Sequence, residues 1–97
     1  MRVSTAHYPT ANGPKYLQQL CKHFAHKAEV SLTETEGRAV LGEGVAHLAA
    51  DAKGLAVRIE APDAKAVIQT RYVIDVHLVN FAFREGFTGL AWTIDPA

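Results

Sequence analysis

The segment Tyr16–Lys27 holds the single cysteine of this chain and two of its five histidines, interleaved with Lys22 and Lys27. Imidazole carries protons near neutral pH and ligates metals, while a thiolate is both nucleophile and metal ligand. Lysine attracts anions and repels cations. Metal binding, nucleophilic catalysis and anion recognition are therefore the three chemistries to weigh.

His23 and His26 are three apart, so on a helix they point the same way and can meet one ion. Cys21 falls on the other, apolar side. A zinc site takes three or four ligands, so His7, His47 or His77 would have to complete one from elsewhere. The spacing alone predicts no metal site. Cys21 is expected to fill the core as a small apolar residue. The end of a helix exposes carbonyls, which raises a thiol pKa, so Cys21 is a poor nucleophile. No catalytic residue is assigned.

Anion recognition draws on more groups. Lys22, His23, His26 and Lys27 crowd one helix end, His77 lies beside the apolar stripe of a second helix, and Arg84 adds a forked donor after it. These six residues are the expected ligand-binding set. They suit carboxylates, phosphates or haem propionates, with Tyr16 or Trp92 stacking on a flat ligand.

The elements that must position these groups follow from periodicity. Arg2 to His7 reads as a first strand, and Pro9 to Pro14 as a loop. Asn12 or Gly13 can cap a helix, with Pro14 suited to its first turn. Leu17, Leu20, Cys21, Phe24 and Ala28 share one face of that helix. From Glu29 to Glu60 the period changes to two, broken at Thr35-Glu36-Gly37, Gly42-Glu43-Gly44 and Asp51-Ala52-Lys53-Gly54. This predicts an antiparallel meander of four strands. Pro62-Asp63 opens a second helix with two apolar stripes, Val67, Ile74, Leu78 and Phe81 on one side and Ile68, Tyr72, Val76 and Val79 on the other. Leu90 to Ile94 reads as a last strand. The expected fold is α+β, in the order β-α-β-β-β-β-α-β, with both helices on one face of a mostly antiparallel sheet. Leu20, Phe24, Val57, Ile59, Leu78 and Phe81 should be buried together.

Ninety-seven residues suit a single domain, 1–97. Ten basic and ten acidic residues cancel, which argues against a dedicated nucleic-acid binder. A lone cysteine gives no internal disulfide, and no apolar run is long enough to span a bilayer. With no signal-peptide pattern at the start, a cytoplasmic location is expected.

Three segments resemble a family of small bacterial proteins, the domain of unknown function 2218. They are Ser4-Thr5-Ala6-His7, then Tyr16-Leu17-Gln18-Gln19-Leu20-Cys21-Lys22-His23-Phe24-Ala25-His26-Lys27, then His77-Leu78 with Phe81-Ala82-Phe83-Arg84-Glu85 and Leu90-Ala91-Trp92. The second is the most specific, because agreement over so mixed a run is hard to reach by chance. The family has no established activity. Similar domains occur fused to flavin-dependent siderophore-interacting reductases, so the resemblance implies a place near ferric-siderophore or haem iron handling.

Three functional readings stand open. The first is a binding or accessory module for an anionic iron-containing ligand, or one that docks on a flavin-dependent siderophore reductase. The second is a small metal protein or enzyme using His23, His26 and His77. The third is a structural domain forming a homodimer through Ile68, Tyr72, Val76 and Val79. The cofactor is left open.

Overall fold

The computed structural model describes residues 1–95. Six strands form one sheet: β1 (Arg2–Pro9), β2 (Val30–Leu32), β3 (Glu36–Leu41), β4 (Gly44–Asp51), β5 (Gly54–Ala61) and β6 (Thr93–Asp95). Two α-helices, α1 (Gly13–Phe24) and α2 (Ala64–Ala82), and a short 3₁₀ turn (Phe83–Glu85) complete the fold. The spatial strand order is β2-β3-β4-β5-β1-β6, and every neighbouring pair is antiparallel. The β2–β5 meander follows the expected turns except the first, which falls at residues 33–35, so that Glu36 and Gly37 already pair within β3; the α+β order holds throughout.

Alternation sets which face is covered. Ser4, Ala6, Ala46, Leu48, Leu55, Val57 and Ile59 stand in cross-strand register on one face and are all buried. Both helices pack there. Leu17, Leu20, Cys21 and Phe24 on α1, and Ile74 and Leu78 on α2, join them in one core. Phe81 is the exception to the expected core set: it is half-buried and packs on the cluster's edge. The opposite sheet face carries the polar partners of the alternation, Thr5, His47, Arg58 and Glu60, as one-sided antiparallel sheets do.

Close backbone approach fixes the helix positions. A Cβ at Gly44 would stand 2.1 Å from the Thr70 hydroxyl, so α2 can seat on the start of β4 only because Gly44 has no side chain. At Gly37 a Cβ would meet Cys21 Sγ at 2.6 Å, so α1 rests on β3 in the same way.

Four further points differ from the sequence reading. β1 runs on to Pro9, opposite Gly54; a proline is tolerated at a strand end, where no ladder bond needs its N–H. Asn12 holds the cap position of α1 but makes no side-chain cap bond, because its amide is drawn to Glu85 instead. α1 stops at Phe24, and Ala25–Lys27 form turns, closed by Lys27 N–H and Ala28 N–H donating to the Phe24 carbonyl. The last strand begins only at Thr93. The Asp75 carboxylate on α2 accepts from the Leu90 amide (3.0 Å) and the Trp92 indole (3.0 Å) and holds that stretch off the sheet. Among the described residues no helix is long and apolar enough to cross a membrane.

Candidate functional site

The end of α1 and the middle of α2 meet over a cleft of about 320 Å³. His23, the turn residues His26 and Lys27, and His77 from α2 supply its polar groups. Phe24, Ala28, Leu41 and Val73 supply its apolar walls.

His77 is the most constrained of these side chains. Its Nδ1 lies 2.7 Å from the Val73 carbonyl, one turn earlier on α2. A carbonyl only accepts, so Nδ1 carries the proton and Nε2 is the uncommitted nitrogen. One face of the ring meets His23, with centroids 4.7 Å apart and planes inclined by 43°. Phe24 meets it edge-on at 5.4 Å. His23 also contacts Phe81 at 6.4 Å. Aromatic neighbours and a backbone bond therefore hold two imidazoles side by side at the rim.

Four of the six expected binding residues, His23, His26, Lys27 and His77, line this one cleft. Lys22 and Arg84 do not. Lys22 is exposed elsewhere on α1, and the Arg84 guanidinium lies 5.6 Å from the Phe83 ring on the 3₁₀ turn. Tyr16 and Trp92 are not free to stack on a ligand. Tyr16 is buried and its hydroxyl is engaged by Glu85. Trp92 packs on the core edge with its N–H given to Asp75 and the Arg71 guanidinium 5.8 Å from its ring. Cys21 is fully buried, and burial pushes its thiol up to about 11. Among the described residues no three His, Cys, Asp or Glu side chains gather closely enough to hold a metal ion.

A second polar cluster sits at the opposite end of α1, and the sequence reading misses it. Glu85 Oε1 accepts from the Tyr8 hydroxyl (3.0 Å) and the Thr10 hydroxyl (2.8 Å). Glu85 Oε2 accepts from the Asn12 amide (2.8 Å) and from the Tyr16 hydroxyl. Four donors hold the carboxylate at about 2, the Tyr16 bond contributing most. Burial, and then the hydrogen bond to Glu85, push Tyr16 up to about 12. Glu85 gives α1 the negative charge that its own first turn lacks. In sequence the only cue is the breaker-rich loop Pro9–Pro14, which reads as a connector.

The family described as "Uncharacterized protein conserved in bacteria (DUF2218)" matches residues 5–93. The chain belongs to this family. Its fold is also similar to that of a protein in "NMR structure of PA4090 from Pseudomonas aeruginosa", with 30% identity and a TM-score of 0.78 over 100% of this chain and 98% of that one. No curated protein matches. The match spans the α1 segment, the cleft and the Glu85 cluster alike. Neither description names a ligand or an activity.

Proposed function

We propose that this chain is a ligand-binding or accessory module whose cleft at the end of α1 takes an anionic ligand. One observation carries the reading: His23, His26 and Lys27 from the end of α1 and its turn converge with His77, fifty residues later on α2, on a single cavity. Lys27 offers an ammonium donor, and His23 and His26 each offer a ring N–H; His77, whose Nδ1–H is given to Val73, donates to an anion from Nε2 only as the imidazolium. The volume lies near the lower end for small-molecule sites, which fits a compact head group or one arm of a larger ligand. An iron-bearing anion, a ferric siderophore or haem, is the finer form of this proposal. It is motivated by the resemblance to domains fused to siderophore-interacting reductases, and such a reductase is the partner it suggests.

The metal alternative is weaker on chemistry, because only two imidazoles stand together while Lys27 opposes a cation. Titration with a ferric siderophore, haem, inorganic phosphate and zinc ranks the two. We expect anion binding that Lys27→Gln with His26→Gln weakens by at least tenfold. Tight zinc binding abolished by His23→Ala would overturn the anion reading.

A separate observation favours association. Ile68, Tyr72 and Val76 recur every fourth residue on α2 and are 61%, 67% and 39% exposed. A stripe of this kind suits a two-fold contact between copies, and sedimentation velocity tests it.

A further inference from the structure

The cleft does not end at Val73. A second hollow, of about 370 Å³, shares Lys27, Ala28, Leu41 and Val73 with it and runs on along α2. Its floor is one face of that helix, Ala66, Thr70 and Val73, followed by His77. At a rise of about 1.5 Å per residue, the floor from Ala66 to His77 is roughly 16 Å long. Val40 and Leu41 form the facing wall.

The two ends differ in chemistry. Imidazoles gather at one, with Lys27 beside them where the two hollows join. Past Lys27 the lining is apolar: even Thr70 turns its hydroxyl away, donating to the Ala66 carbonyl at 2.7 Å. Gln69 and Glu43 stand at the other end. A compact anion would use only the first part. An apolar trough continuing from a cationic end matches a molecule with the same sequence of parts.

Resting on the anion reading above, we infer that the ligand is a free monoanion with an extended aliphatic arm, its acidic head at His23, His77 and Lys27 and its arm lying along α2 toward Gln69. Glu43 at the far end selects against a second carboxylate. Charge complementarity fixes the direction in which the molecule lies.

The test is calorimetric titration of the full chain with acetate, butanoate, octanoate and octanedioate below their aggregation limits, with amide NMR shifts recorded alongside. Full burial of a methylene gives up to about fourfold in affinity. Octanoate should therefore bind at least about tenfold more tightly than butanoate, and octanedioate more weakly than octanoate. Butanoate should shift amides near His23 and His77, and octanoate should add Val40, Ala66 and Gln69. Gln69→Trp, at an exposed position, should remove the octanoate gain and spare butanoate. Equal affinity for butanoate and octanoate, both at the His23 end, overturns the arm and leaves the anion reading standing. Octanoate shifts centred on Ile68 and Tyr72 overturn it as surface adsorption. Absence of binding by every acid, and by phosphate, defeats both.

Discussion

Two polar clusters occupy the two ends of α1, and they differ in how completely their groups are matched. At the start, the two oxygens of Glu85 take four donors, two each. At the end, His77 commits one nitrogen to the Val73 carbonyl and leaves the other open, beside His23, His26 and Lys27. A matched cluster orders the chain, because each donor would lose by any rearrangement. An unmatched, solvent-facing one costs little to hold and leaves its polar groups uncommitted. The first therefore reads as a clasp between the 3₁₀ turn and the β1–α1 loop, and the second is the end proposed above to take a ligand.

That contrast can be broken most severely at Tyr16. It is 3% exposed and belongs to both the clasp and the core. Tyr16→Ala should cost about 3–5 kcal/mol, as large aromatic truncations do, out of a total of about 5–15 kcal/mol. Urea unfolding measures it. A cost under about 1 kcal/mol would show that the clasp holds nothing.

Acid probes the clasp, with Glu85→Gln as the control for the other carboxylates that titrate in the same range. Glu85 is held at about 2 in the folded chain, against an ordinary 4.5. A carboxyl depressed on folding adds stability that is full above its unfolded pKa and fades as pH falls through the folded one. The melting temperature should thus fall between about pH 4.5 and 2 more steeply in the wild type than in Glu85→Gln. Parallel slopes would mean that the four donors do not favour the charged form.

The histidine end should behave in the opposite sense. His77→Ala should change the unfolding free energy by less than about 1 kcal/mol, since its ring is only half-buried. The same change should weaken phosphate binding by at least tenfold. A large loss of stability with unchanged binding would make His77 a second clasp.

The smallest effect concerns α2. Tyr72→Glu with Val76→Glu should leave both ends of α1 intact and abolish any concentration-dependent sedimentation of the wild type. Weakened phosphate binding in that double variant would tie the stripe to the cleft.

The two clusters were unequally legible in sequence. Leu17, Leu20, Cys21 and Phe24 recur at helical spacing, so the buried face of α1 and the place of His23 beside it could be read directly. The meander was equally plain from its turns. The Glu85 cluster was not, because its donors at residues 8–16 lie about seventy positions away and obey no local period. Only tertiary packing makes them neighbours. The same holds for Asp75, which shortens the last strand through bonds to Leu90 and Trp92. His26 and Lys27 meet His77 only through the packing of the end of α1 against α2, which the period of neither helix carries.

The seating of Cys21 against Gly37 has a consequence for measurement. Sγ lies where any Cβ on that glycine would have to stand, and no other thiol exists in the chain. A reagent in solution can reach this sulfur only during moments when α1 and β3 part. Its labelling rate is then a stopwatch on those openings, proportional to how often they occur. Because His23 and His26 lie on the same stretch of chain, an anion that stays at their end should lengthen the interval between openings. The occupancy of the cleft can thus be timed from a sulfur atom that never touches the ligand.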